Sequence, residues 1–168
     1  MANPLYGFSV WKSPTNGADV VYPLIATNST QFTIGDPVTA SGGFAIVAPN
    51  ATSAIIGIAA KSFTATSTNQ TVAQAYVPLY DIDQDYTFLA GTNSDISNTS
   101  AGLLFQMLVS GGTGQVLVDT NGGSKSAGST GIVVCLGADP SQLGTTGVGG
   151  GSRQGLFRFV KKADTQQT

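Results

Sequence analysis

Short apolar or alternating runs recur along this chain between clusters of Gly, Asn, Ser, Thr and Pro. Ten of them, at 20–26, 31–34, 44–48, 54–60, 73–80, 86–90, 103–109, 115–118, 131–136 and 156–160, carry the β-branched and aromatic side chains that suit a pleated, half-buried surface. About ten short strands separated by turn signals predict an all-β fold, a single β-sandwich or β-barrel-like domain. Gly35-Asp36-Pro37 reads as a turn feeding a strand at Val38, and Gly57 inside an apolar strand predicts a bulge or a close backbone approach.

Residues 1–18 differ from the rest. Leu5, Tyr6, Phe8 and Trp11 are interrupted by Pro4, Gly7, Pro14 and Gly17, which opposes a helix and predicts an extended N-terminal arm ahead of one β domain at 19–168. Such an arm needs a surface to lie on. Two glycine- and serine-rich stretches, 121–130 and 143–155, read as long loops between strands, because the entropy lost on ordering them is offset by little burial. No sustained 3.6-residue periodicity predicts a helix; 139–143 offers one turn at most. No repeat of 20 to 50 residues points to a solenoid or propeller.

Composition narrows the function classes. All nine acidic residues are aspartates, with no glutamate, which favours turns over helices. Only 10% of the 168 residues are charged, so part of the surface is expected to meet a partner. A net charge of −2 with seven Lys plus Arg gives no basic field for nucleic acid. No apolar stretch of 18 residues exists to span a bilayer, and the first residues lack the layout of a secretory signal, so a cytoplasmic origin with no membrane partner is expected.

Candidate chemistry is sparse. The absence of histidine removes Ser-His and Cys-His pairs and the commonest metal-binding side chain. Asp81, Asp83 and Asp85 alternate and could curl around a hard cation, but a helix-loop-helix calcium loop starting at Asp81 would need Gly where Tyr86 stands and Glu where Thr92 stands. A solvated turn between Tyr80 and Tyr86 is the simpler reading. Cys135, inside an apolar run, reads as an inert core thiol. Gly123-Ser124-Lys125-Ser126 lacks the Gly that a phosphate loop needs before its Lys, and the Asn-x-Ser/Thr matches at Asn28, Asn50, Asn69 and Asn98 fit chance in such a composition. Arg158, Lys161 and Lys162 interleave with Phe157, Phe159 and Val160 as in a half-buried strand. No catalytic, cofactor-binding or metal-binding residue is therefore assigned, no cofactor is expected, and the chain is expected not to be an enzyme.

The order of several segments resembles the small decoration, or cement, proteins of tailed-bacteriophage capsids. The segments are Met1-Ala2-Asn3-Pro4 with Gly7-Phe8, Phe32 through Val38, Ala54-Ile55-Ile56-Gly57-Ile58-Ala59, and Tyr76-Val77-Pro78-Leu79-Tyr80-Asp81 leading to Tyr86-Thr87-Phe88. The resemblance implies a β-rich body on the outer capsid surface of the virion, made in the host cytoplasm, bound to the major capsid protein and to copies of itself as a homotrimer. Its role would be mechanical, clamping capsomers against the pressure of packaged DNA. The last third of the chain departs from that pattern in its Gly/Ser/Thr-rich stretches. Tyr6, Phe8 and Trp11 are the expected anchors at a capsid or subunit interface, since buried aromatics dominate interface energetics. The alternative is a carbohydrate- or receptor-binding β-module of a phage fibre or head fibre, in which exposed Tyr and Trp stack on sugars.

Overall fold

The computed structural model of the chain describes residues 6–14, 20–22, 24–49, 54–66, 76–109, 116–121, 132–141 and 152–160. Among them are thirteen strands and no helix beyond one 3-10 turn at Asn98–Ser100, so the fold is all-β as expected. The strands are β1 (Phe8–Lys12), β2 (Val20–Val21), β3 (Gln31–Phe32), β4 (Pro37–Ser41), β5 (Phe44–Val47), β6 (Ile55–Ala59), β7 (Phe63–Thr64), β8 (Leu79–Asp81), β9 (Thr87–Ile96), β10 (Leu104–Val109), β11 (Val116–Asp119), β12 (Ile132–Ala138) and β13 (Ser152–Phe159).

Strands β9, β11, β10, β12 and β13 close on themselves, because β13 pairs with β12 on one side and β9 on the other. The result is a five-stranded barrel, antiparallel except between β9 and β11. Inward positions alternate with outward ones, as closure requires. Phe88, Phe105, Met107, Val116, Val118, Val133, Cys135, Phe157 and Phe159 are buried, whereas Leu108, Leu136 and Arg158 face out. Strand β1 lies along the first half of β9, and the Gly7 N–H donates to the Val116 carbonyl (2.9 Å) where β11 takes over.

The second sheet runs β2-β8-β6-β4-β5, all antiparallel, beside a two-stranded ribbon of β3 and β7. Both of its faces are covered. Ile55, Ile58 and Ile82 join the barrel core, while Val38, Ala45, Ala59 and Leu79 pack with Phe32 and Ala65 in a second cluster. Ile55 and Ile58 are an odd number of residues apart, and so would face opposite sides of a regular strand. A register slip in β6, which sets Gly57 opposite Val38 and Ile55 opposite Thr39, brings them to one face. Gly57 meets both expectations at once. A Cβ there would lie 2.8 Å from the Tyr80 carbonyl oxygen and 2.9 Å from the Leu79 Cβ.

Several boundaries differ from the sequence reading. The described part of the 1–18 arm is a strand, and the surface it lies on is β9 of the same chain. Strand β13 begins at Ser152, inside the stretch read as a loop to 155, and the rest of that loop, with most of 121–130, lies outside the described residues. Of the expected turn at 139–143, the described part holds a turn at Pro140–Ser141, with Ser141 donating its N–H and hydroxyl to the buried Asp139 carboxylate (2.9 and 2.8 Å); 142 and 143 lie outside the described residues. Of the run at 73–80, only 76–80 is described, as a bridge from Tyr76 to Ile25 and the start of β8. The tripeptides at Asn50 and Asn69, Lys161 and Lys162, and Gly123 through Ser126 lie outside the described residues.

Candidate functional site

Of the segments singled out by the resemblance, 1–4 lies outside the described residues, and the others meet in one place. Gly7 and Gly35 pack back to back with positive φ angles of 78° and 91°, and a Cβ on Gly35 would sit 2.9 Å from the Phe8 carbonyl oxygen. Only glycine tolerates both the conformation and the approach. The Phe8 N–H donates to the Gly35 carbonyl (3.0 Å), the Gly35 N–H to the Ala59 carbonyl (2.9 Å) and the Ala59 N–H to the Asp36 carbonyl (2.8 Å). This stitches β1 to the turn before β4 and to the end of β6. Thr33 and Asp36 close that turn by two bonds, Asp36 N–H to the Thr33 carbonyl (3.0 Å) and Thr33 N–H to Asp36 Oδ2 (2.7 Å). Burial pushes the Asp36 carboxyl above the ordinary aspartate range, and the Thr33 N–H pulls it partly back.

From the joint, an aromatic chain leads into the barrel. Tyr80 meets Tyr86 (5.3 Å between ring centroids), Tyr86 stacks on Phe88 (5.7 Å), and Phe8 contacts Phe88 (6.1 Å) and Phe159 (4.9 Å). Phe8, expected at an interface, is 2% exposed and belongs to the core of its own chain. Tyr6 and Trp11 are 45% and 48% exposed. Trp11 occupies the irregularity where β1 slips its register against β9 between Val10 and Lys12. Tyr6 and Ile34 immediately precede the two packed glycines, and both face outward, so the joint carries apolar surface on its outer side.

Asp81, Asp83 and Asp85 surround a turn whose intervening Ile82 is buried. The Asp83 N–H donates to Asp81 Oδ1 (2.9 Å) and the Gln84 N–H to the Asp81 carbonyl (3.2 Å), the bonding of an aspartate-initiated turn. Among the described residues no three potential ligands converge on a metal-sized space. Cys135 is fully buried, and desolvation pushes its thiol up despite a hydrogen bond at Gly137.

A feature without a signature in the sequence is an open groove of about 540 Å³ lined by Tyr22, Lys61, Phe63, Tyr76 and Pro78. These positions are scattered along the chain. The bridge from Ile25 to Tyr76 and the pairing of β3 with β7 bring them together. A polar network marks the far end of the barrel. Asn93 on β9 donates to Asp119 Oδ1 (2.7 Å) and accepts from the Thr120 N–H (2.8 Å), while Arg153 of β13 bonds the Asn93 carbonyl (2.6 Å) and Asp95 (2.7 Å). The Arg153–Asp95 pair is exposed on both sides and contributes little. The network's part is to fix three strands in register.

Compared with known protein families, curated proteins and solved structures, the chain matches none.

Proposed function

We propose that the chain is a non-enzymatic structural protein of a virion, a decoration protein seated on the outer surface of a tailed-phage head, where it contacts the major capsid protein and copies of itself. The observation that carries this reading is the convergence of the resembling segments on one joint: Gly7-Phe8, Gly35-Asp36, Gly57 to Ala59, and Leu79 to Phe88 bond or pack in an unbroken series. A shared order of segments gains weight when those segments form one mechanical unit rather than scattered turns. Tyr6 and Trp11, exposed at either end of the strand leaving that joint, are the anchors for the capsid. The closed barrel and the doubly covered sheet give them a stiff body, which suits a load-bearing clamp.

The test is to mix the purified protein with capsids that lack it and to follow binding and heat resistance together. Saturable binding with a raised temperature of capsid disruption supports the reading, and a folded protein that ignores capsids removes it. Trp11→Ala should lower capsid occupancy.

The groove favours a second reading, a carbohydrate- or receptor-binding module of a phage fibre. Its three aromatic rings and Lys61 offer stacking faces and a donor to a sugar bearing an acidic group. Titration with uronic-acid oligosaccharides decides this: binding lost in Tyr22→Ala supports it, and no heat or chemical-shift change removes it.

A further inference from the structure

Asn93 and Asn121 meet at the polar end of the barrel, and their side-chain amides are held in opposite ways. The Asn93 amide donates to Asp119 Oδ1 (2.7 Å) and accepts from the Thr120 and Asn121 N–H groups (2.8 and 3.3 Å). The N–H that follows it in the chain, on Ser94, is bound to Thr120 Oγ1 (3.2 Å). Asn121, two residues past the end of β11, is exposed. Its N–H is held by Asn93 Oδ1 and Asp119 Oδ1 (3.3 and 3.2 Å), while nothing among the described residues bonds its side-chain amide. Asn28 is exposed as well, but the N–H after it, on Ser29, donates to the Ala65 carbonyl (2.7 Å).

The residue after Asn121 in the sequence is Gly122. Gly122 lies outside the described residues, and what it contributes is chemical: a glycine has no Cβ to shield its backbone nitrogen and reaches conformations closed to other residues. That nitrogen is the nucleophile for the Asn121 Cγ. A new N–C bond closes a five-membered succinimide, the Cγ–Nδ2 bond breaks, and the side-chain nitrogen leaves as ammonia with the proton given up by the Gly122 nitrogen. Water then opens the ring. Opening at the side-chain carbonyl gives aspartate; opening at the main-chain carbonyl gives isoaspartate, in which the chain continues through the former side chain. Nothing is oxidised or reduced, and solvent water is the only co-reactant. At Asn93 the amide and the following N–H are both engaged in hydrogen bonds, and at Asn28 the following N–H is engaged, so Asn121 is the described asparagine best placed to react.

We propose that Asn121 is a modification site that deamidates spontaneously to isoaspartate and aspartate, replacing a neutral amide beside the Asn93–Asp119 network with a carboxylate as the protein ages. The proposal is independent of capsid binding. Either product makes the chain one charge more negative than its formal −2. Isoaspartate also inserts a methylene into the main chain directly after the N–H that Asn93 and Asp119 hold. The isoaspartyl form is expected to lose that hold and to melt about 2–4 °C below the fresh protein.

The test keeps the full chain in warm, mildly alkaline buffer and samples it over weeks by anion exchange. Each acidic fraction is digested and mapped by mass spectrometry, with isoaspartyl methyltransferase labelling to tell the two products apart. The expected result is an acidic fraction that grows with time, carries its change at Asn121 and holds more isoaspartate than aspartate. Asn28 and Asn93, mapped in the same digests, should change at least tenfold more slowly. Gly122→Ala should slow the change at Asn121 at least tenfold, while the other Asn-Gly pair, at 16–17 and outside the described residues, is scored separately and keeps its parent rate. If that variant misfolds, the comparison of Asn121 with Asn28 and Asn93 in the parent decides alone. No change at Asn121, a rate there equal to that at Asn28, or a folded Gly122→Ala protein that reacts as fast as the parent overturns the proposal. An isoaspartyl fraction that melts with the fresh protein overturns its structural half.

Discussion

Replacing Phe8 by alanine separates a core role from an interface role. The ring is 2% exposed and contacts Phe88 and Phe159 at 6.1 and 4.9 Å. Truncating a buried Phe to Ala costs about 3–5 kcal/mol, the spread reflecting how far the site collapses. Because pairing with β9 and the bond from the Phe8 N–H to the Gly35 carbonyl hold β1 in place, the site collapses little and the upper half of that range applies, about 4–5 kcal/mol. For a chain of this length each kcal/mol shifts the melting temperature by about 2–4 °C, so Phe8→Ala should melt about 8–20 °C below the parent. Trp11→Ala, on the same strand but half-exposed, should stay within about 1 kcal/mol. Thermal unfolding of the isolated proteins, followed by circular dichroism and calorimetry, compares the two. A Phe8→Ala protein melting within about 3 °C of the parent would refute the core placement. So would a Trp11→Ala protein that falls as far as Phe8→Ala.

Three further outcomes follow from particular contacts. Gly57→Ala should cost about 1–3 kcal/mol in denaturant unfolding, because the Tyr80 carbonyl and Leu79 Cβ that crowd the new methyl are fixed by strand pairing. Gly155→Ala presses instead on the terminal methyl of Ile96, so combining it with Ile96→Val should recover about 1 kcal/mol relative to the sum of the single changes; strict additivity would show that the two do not touch. Asp36 binds its proton more tightly folded than unfolded, because desolvation outweighs the Thr33 hydrogen bond. Its contribution is therefore present at low pH and lost as pH rises from the ordinary aspartate range through the raised folded value. Asp36→Asn should flatten that part of the stability-pH curve, and an unchanged slope would place the titration elsewhere.

The strands that were legible in the sequence are those whose burial is uniform along their length. Leu104–Val109 and Ile132–Ala138 alternate or run apolar because one face fills the barrel. The second half of β9, Gly91 through Asp95, is polar for a reason no periodicity reveals. Its residues face a network with Thr120, Asp119 and Arg153, and the buried Thr92 hydroxyl bonds the Ser94 carbonyl (2.7 Å). Strand β4 was visible only as a turn feeding Val38, since it opens on Pro37, where a missing N–H is tolerated. The two-residue strand β7 is too short for any periodic signal. The need for Gly57 was readable locally, because an apolar strand has few other uses for glycine. The packing of Gly7 against Gly35, and the gathering of Tyr22 and Tyr76 in the lining of one groove, depend on long-range contacts that spacing does not encode.

Closing the barrel through β9 and β13 has a kinetic consequence. Phe88 pairs with Phe157 across three intervening strands, so the last seam forms only after β10, β11 and β12 have been threaded between them. Such non-local pairing makes folding slow, in the range of milliseconds to seconds. During synthesis β9 emerges with its phenylalanine-bearing edge unpaired, and it stays open to neighbouring nascent chains until β13 leaves the ribosome. Overproduction at high temperature should therefore drive this chain towards inclusion bodies more readily than its folded stability suggests.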